Sequence, residues 1–249
     1  MKTIKDIVYA SCDEAQKLDL YLPEGEVKCV FLYIHGGGLE YGDKYHGNIM
    51  ASFLTEKGVA LASIGYRKYP NAEYPQYIYD SAMAVKWTYD YMVTELGCDK
   101  LYVGGSSAGG YLSMMLCFDK RYLESVGLTN QNIAGYFHDA GQPTAHFKIL
   151  SESGFDSRRV IVDETTPLYY VGVEKEYPPM RFIVSTNDMQ NRYEQTMLLL
   201  STLKHFGYTG YDHVVMDGTH CHYCGQLDEN GVSKLGKMVY DFIKSVNLK

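Results

Sequence analysis

Four places in the chain carry residues whose types and spacing could do chemistry. Residues 105–109 read Gly-Ser-Ser-Ala-Gly, which puts Ser107 at the centre of a G-x-S-x-G pattern. Ser106 does not fit that pattern, because the position it would need as glycine, 108, is alanine. A serine hydroxyl is a poor nucleophile at neutral pH, so a reactive serine needs a base, a group to orient that base, and donors for the oxyanion. His35-Gly36-Gly37-Gly38 follows directly on an apolar run, and successive glycines leave backbone N–H groups unshielded toward an oxyanion. Asn187-Asp188 and Asp217-Gly218-Thr219-His220 each follow a later apolar run. Taken in the order Ser107, Asp188, His220, the chain offers a nucleophile, an orienting acid and a base.

Other residues compete for these roles. His222 lies two positions beyond His220 and would serve if the loop turned differently. His213 falls inside a strand, and Asp217 shares its strand with His220, which favours Asp188. His138, His146 and His205 lack a strand-end position. The segment Thr-His-Cys-His-Tyr-Cys at 219–224 resembles half of a zinc site, with Cys221-x-x-Cys224 flanked by His220 and His222. The other half is missing, since Cys12, Cys29, Cys98 and Cys117 stand singly, so neither a metal nor a cofactor is expected. Thiol chemistry at Cys221 has no feature in the sequence to support it.

These residues need elements to hold them. Segments 4–9 and 16–22 mix apolar and polar residues as half-exposed strands do, an antiparallel opening. Segments 29–34 and 59–64 are nearly continuous apolar runs, the pattern of parallel strands covered on both faces. A helix is expected between them over 46–57. Residues 76–96 place Ile78, Ala82, Val85, Tyr89, Met92 and Leu96 on one helical face that ends at Gly97. Strand 100–105 and helix 108–118 then bracket Ser107 in a strand–turn–helix. Such a turn strains its central residue and asks for glycine on both sides. Strand 132–137, strand 181–186, helix 191–206, strand 211–216 and helix 232–246 complete an α/β alternation with right-handed crossovers. The irregular stretch 140–179, with Pro143, Pro167, Pro178 and Pro179, reads equally as a small lid or as a surface excursion.

The bulk properties fit such an enzyme and disfavour several other classes. In 249 residues, 46% apolar and 21% charged, one large folded domain spanning 1–249 is the simplest reading. A net charge of −7 gives no general attraction to nucleic acid or anionic membranes. No apolar run approaches a bilayer span, and the first residues lack a signal-peptide core, so a cytoplasmic protein is expected. Six scattered cysteines point to reduced thiols rather than a disulfide framework. The clustered Tyr66, Tyr69, Tyr74, Tyr77 and Tyr79 read as packing residues, with a platform for a sugar or aromatic ligand as the alternative.

Together, HGGG at 35–38, Gly42-Asp43, GYRKYPNAEYPQYIYD at 65–80, GSSAG at 105–109, TNDM at 186–189 and DGTH at 217–220 resemble the α/β-hydrolase fold. Within it they are similar to the HGGG-containing esterases and lipases related to hormone-sensitive lipase and to small acetyl and feruloyl esterases. The resemblance implies a mostly parallel central sheet of about eight strands with an antiparallel start, helices on both faces and a minimal cap. It implies Ser107 as nucleophile, His220 as base and Asp188 as orienting acid, with Gly37, Gly38 and Ala108 as oxyanion donors. It also implies that Asp80 braces the HGGG loop. Leu39 departs from the Trp or Phe common there, which leaves the acyl pocket open to question, and the short N-terminus suggests an open site. The implied activity is hydrolysis of short-chain acyl or acetyl esters, with an acylated sugar or an aromatic ester among the candidate small-molecule substrates. An arylformamidase or small peptidase using the same triad on an amide, and a non-catalytic ligand-binding homologue, are the rival readings. Oligomeric state is not readable.

Overall fold

The computed structural model describes residues 1–247, so the expected 1–249 span runs two positions past the described chain. Eight strands form one sheet: β1 (Lys2–Val8), β2 (Lys17–Leu22), β3 (Cys29–Ile34), β4 (Val59–Ile64), β5 (Leu101–Ser106), β6 (Gly135–Asp139), β7 (Met180–Asn187) and β8 (Tyr211–Thr219). Their order across the sheet is β1-β2-β4-β3-β5-β6-β7-β8. β1 pairs antiparallel with β2 and β2 antiparallel with β4, and every later pairing is parallel. The fold is that of an α/β hydrolase, with the expected antiparallel start.

Helices cover both faces: α1 (Asn48–Glu56), α2 (Gln76–Glu95), α3 (Ala108–Phe118), α4 (Lys120–Glu124), α5 (Phe147–Glu152), α6 (Pro167–Tyr170), α7 (Arg192–His205) and α8 (Lys234–Asn247). Among the described residues no helix is long and apolar enough to cross a membrane. β3 shows why its residues read as a continuous apolar run. Successive side chains of a strand alternate between faces, so Val30, Leu32 and Ile34 enter the core under α2, α3 and α7. Phe31 and Tyr33 enter the opposite core, under α1 and α8. With both faces covered, no position of β3 can be polar without cost, and all six residues are buried.

Where elements depart from the expected ones, capping chemistry accounts for it. The helix expected over 46–57 begins as a 3₁₀ turn at Lys44–Gly47, because the Asp43 carboxylate accepts the Tyr45 N–H and fixes the start early. The strand expected from 132 begins at Gly135, because Thr129 and Asn132 form a reciprocal cap that holds Asn130–Asn132 in a 3₁₀ turn. Asp119 caps the additional short helix α4. β8 runs three residues beyond its expected end, to Thr219, which pairs with Asn187 of β7.

The stretch 140–179 is stitched down at several points. Tyr111 donates to the Thr165 carbonyl at 2.8 Å, Leu168 N–H to that of Pro143 at 3.0 Å, and Thr144 Oγ1 to Gln195 Oε1 at 3.0 Å. Residues 151–160 are mostly exposed, while 140–146 is buried against α3 and β7. Of the clustered tyrosines, Tyr66 and Tyr77 are fully buried, and Tyr69 and Tyr79 are surface residues.

One buried ion pair ties the antiparallel start to this core. Asp80, fully buried on α2, accepts from Gln16 Nε2 at 2.7 Å, from the Arg67 N–H at 2.9 Å, and from Arg67 Nε and Nη2 at 2.9 and 2.7 Å. The neighbouring Tyr66 hydroxyl donates to the His35 carbonyl at 3.0 Å. Asp80 therefore braces the HGGG segment at one remove, through Arg67 and Tyr66. Removing one partner of a buried pair strands the other charge. Arg67→Ala is expected to destabilise the fold by about 3 kcal/mol, read as a lowered urea midpoint at unchanged m-value, and Arg67→Lys is expected to recover only part of the loss because it cannot reproduce the two-pronged contact.

Candidate active site

The turn between β5 and α3 is strained at its centre. Ser107 sits at φ 57°, ψ −116°, a region that L-residues other than glycine seldom occupy. Its N–H donates to the Asp139 carbonyl at the end of β6 at 2.7 Å, and its carbonyl accepts the Tyr111 N–H at 3.0 Å to open α3. The flanking glycines are required by contact. A Cβ at Gly105 would lie 2.5 Å from the Ile34 carbonyl oxygen, and one at Gly109 only 1.9 Å from it. The end of β3 therefore presses directly against this turn, and a Cβ at Gly36 would come within 3.1 Å of the Ser107 Cβ.

His220 and Asp188 arrive from the far side of the sheet. His220 Nε2 is 2.8 Å from Ser107 Oγ, and His220 Nδ1 is 2.5 Å from Asp188 Oδ1. The Asp188 side chain is almost wholly covered and also accepts N–H bonds from Met189 at 2.7 Å and Ser185 at 3.1 Å. Burial pushes the Asp188 carboxyl upward, but the His220 contact and these two N–H groups outweigh it and hold its pKa below the ordinary value. Burial likewise works against protonation of His220, and the contacts with Asp188 and Cys221 overcome it, so its pKa is raised. An imidazole placed this way is oriented through Nδ1 and stabilised when it takes a proton at Nε2.

The other candidates are occupied elsewhere. His222 Nδ1 faces the Thr219 carbonyl at 2.9 Å, and its ring lies over Gly218. Asp217 contacts Thr186 Oγ1 at 3.2 Å, away from His220. His213 is exposed on β8, and His205 is exposed at the end of α7. His138 is buried against Ser113, and His146 caps α5 through Lys148 N–H. His35 is also a framework residue. Its ring stacks on Tyr66 at 4.5 Å, its Nδ1 is 2.6 Å from the Gly36 carbonyl, and burial pushes its pKa down to about 3. Gly42 of the Gly42-Asp43 pair packs on that ring, where a Cβ would come within 2.4 Å of Nδ1.

Gly37 (φ 121°), Gly38 (φ 65°) and Leu39 (φ 66°) form a tight turn in which the Gly37 carbonyl accepts from Glu40 and Tyr41. Gly36, Gly37 and Gly38 line one wall of a cleft of about 640 Å³ that opens over Ser107 and His220. Its other walls include Tyr33, Tyr45, Ile49, Phe147 and Met189. Leu39 is fully buried and does not line the cleft; Phe147 of α5, 3.2 Å from where a Gly38 Cβ would stand, packs beside the glycine turn. The Lys148–Glu40 ion pair at 2.6 Å ties α5 to that turn. The tyrosines at the cleft are Tyr33 and Tyr45, not members of the cluster at 66–79.

Sequence reasoning missed what lies behind the serine. Ser106 is buried and accepts the Tyr33 hydroxyl at 3.1 Å. The Asp139 carboxylate, fully buried, accepts from the Tyr223 hydroxyl and from the Cys224 thiol, the latter at 3.3 Å. Burial pushes the Asp139 carboxyl up against the pull of Ser106, Tyr223 and Cys224. The Cys221 thiol, held down by its contact with Cys224, stands 3.7 Å from His220 Nε2. Arg192 is buried beneath the Asp188 loop and donates to the Ala140 carbonyl and to Gln142 Oε1. The position of Asp139 at the end of β6, the strand next to β5, was the one available signal, since a strand end beside a nucleophile turn is where such a residue would act.

Comparison with known proteins places the chain in a family. A family model described as BD-FAE matches residues 18–143, just over half of the chain, from β2 through the HGGG turn and Ser107 to the end of β6. Probable isoprenylcysteine alpha-carbonyl methylesterase ICMEL1 of Arabidopsis thaliana is 27% identical over 146 residues, 55% of this chain and 30% of that protein. Carboxylic ester hydrolase LipN of Mycobacterium tuberculosis is 31% identical over 91 residues, 35% of this chain and 24% of that protein. The matched part thus covers less than a third of these relatives. The solved structure of esterase B from Lactobacillus rhamnosis superimposes with a TM-score of 0.79 at 21% identity, covering 99% of this chain and 86% of that one. Est2 of Thermogutta terrifontis, solved with butyrate bound, gives 0.77 at 17% identity, covering 96% and 92%. These relatives and structural neighbours are carboxylic ester hydrolases, and the chain belongs to the BD-FAE family of esterase-like α/β hydrolases.

Proposed function

We propose that the protein hydrolyses carboxylic esters of short acyl chains, with Ser107 as nucleophile. The observation that carries this reading is the unbroken line of contacts from Asp188 through His220 to Ser107 Oγ, ending at the floor of an open cleft. In this reading Ser107 Oγ attacks the ester carbonyl carbon while His220 Nε2 takes its proton and Asp188 stabilises the imidazolium. The carbonyl oxygen becomes an oxyanion and accepts from the N–H groups of Gly37, Gly38 and Ala108, each such donor being worth about 10²–10³ in turnover. The tetrahedral species collapses, the alcohol leaves with the proton from His220, and the acyl group remains on Ser107. Water attacks the acyl-enzyme by the same relay and releases the acid.

Short acyl chains suit the walls of the cleft. Phe147 beside Gly38, together with Ile49 and Met189, makes an apolar surface close to the reacting carbon. Structural neighbours solved with butyrate and with propionate bound lend this size range further support. Residues 1–247 act in this reading as one catalytic unit, with 140–179 contributing Phe147 to the wall of the site.

Three variants test the roles. Ser107→Ala and His220→Ala are each expected to lower kcat for p-nitrophenyl acetate by at least about 10⁴-fold, whereas His222→Ala is expected to stay within about threefold of the parent. Activity retained by Ser107→Ala would overturn the mechanism. A series of p-nitrophenyl esters tests the acyl size: kcat/KM is expected to be highest from acetyl to butyryl and to fall by at least about tenfold at octanoyl. An optimum at octanoyl or beyond would sink the short-chain assignment.

A further inference from the structure

The contacts behind and beside His220 include a set of donors that ester hydrolysis does not use. Cys221 is held at φ 51°, an unfavourable backbone for a residue with a Cβ. A turn closed by the Cys224 N–H on the Cys221 carbonyl at 3.0 Å carries both cysteines of the C-x-x-C pair. Ligand atoms of Asp139, Cys221 and Cys224 all lie within 4.8 Å of one another. Both thiols line the cleft, so the cluster has a route to solvent although Asp139 itself is fully buried.

We propose that Cys221, Cys224 and Asp139 form a binding site for Zn²⁺ whose occupation inhibits the enzyme. Two thiolates and a carboxylate are a common zinc donor set, and three protein ligands leave a fourth tetrahedral position open. His220 Nε2 stands beside this trio, 3.7 Å from Cys221 Sγ. The surrounding groups also fit. Tyr223 donates to the other oxygen of Asp139, a hydrogen bond of the kind that orients a ligating carboxylate.

Binding changes no oxidation state. The two thiol protons go to solvent, the Cys224 S–H bond to Asp139 is replaced by metal coordination, and both sulfurs bind as thiolates. A divalent ion there places positive charge beside His220 Nε2 and disfavours the imidazolium that the relay requires, so the nucleophile loses its base. Metal binding stands on the donor geometry alone, while its inhibitory effect rests on the esterase reading.

The test uses the full chain, metal-free and kept reduced by a phosphine. Titration with Co²⁺ is expected to give a thiolate-to-metal charge-transfer band that saturates at one equivalent and disappears when Zn²⁺ is added. The band is expected to be lost in Cys221→Ser and in Cys224→Ser, with circular dichroism confirming that each variant is folded. Zn²⁺ is expected to inhibit p-nitrophenyl butyrate turnover, with full recovery on adding EDTA. The Zn²⁺ concentration for half-inhibition should rise at least tenfold in Cys224→Ser, measured against that variant's own metal-free rate. Absence of the band, a band unchanged in both cysteine variants, or half-inhibition within threefold of the parent in Cys224→Ser would each overturn the site. A metal-free protein that turns over no ester would count against the esterase reading, and the Co²⁺ band would still decide the site.

Discussion

The close approach of the end of β3 to the turn after β5 is the constraint on which the rest of this structure depends. Ile34 and His35 present carbonyl oxygens to a space that only Gly105 and Gly109 can share. That contact fixes three things together. It holds Ser107 at φ 57° with its side chain clear of the sheet, starts α3 directly after Ser107, and sets the glycine turn 36–38 beside the Ser107 Cβ. A serine in so strained a backbone persists only where its surroundings over-determine it. Here the Asp139 carbonyl, bound to the Ser107 N–H, supplies the remaining restraint from the neighbouring strand.

The other half of the site depends on register. β7 and β8 pair in regular register up to Ser185 and Met216, then slip so that Asn187 lies opposite Thr219. The slip brings the residue after each of these, Asp188 and His220, to one level at the carboxyl edge of the sheet, where Nδ1 and Oδ1 meet. Without it, the extra residue of β8 would carry His220 past the aspartate. The same geometry explains why Asp217 and His222 are excluded. Asp217 still lies within β8, bound to Thr186, and His222 lies beyond the turn, folded back on Gly218.

The legible part of this site was the part written in local sequence. Gly105, Ser107 and Gly109 declare a strand–turn–helix, the glycines after β3 declare exposed N–H groups, and two strands running into Asp188 and His220 declare strand-end residues. The apolar runs of β3 and β4 declare a sheet covered on both faces. The rest is set by partners distant in the chain. Nothing near Asp139 indicates that Tyr223 and Cys224 converge on it, because that meeting depends on the path of the turn after β8. Capping shifted two boundaries, at Asp43 and Thr129, and added a short helix at Asp119, since a side chain that satisfies the first N–H groups overrides apolar periodicity within a turn. The brace from Asp80 reaches the HGGG loop through partners distant in the chain, since a buried carboxylate needs a cation and Arg67 supplies it.

Asp139 shows how structural and chemical demands meet at one residue. Its backbone carbonyl restrains the nucleophile turn, while its carboxylate, buried without an arginine or lysine against it, is satisfied by neutral donors: the Tyr223 hydroxyl and the Cys224 thiol. Neutral donors leave a buried negative charge uncompensated, and burial accordingly raises the Asp139 pKa. The contrast with Asp188 is physical rather than positional, since both end neighbouring parallel strands at the same edge of the sheet. Asp188 faces a ring that can become a cation and two backbone N–H groups, so it stays ionised and can hold the imidazolium. Asp139 has only hydroxyl and thiol donors in hydrogen-bond contact with its carboxylate. The two carboxylates thus shift in opposite directions because of what each one faces.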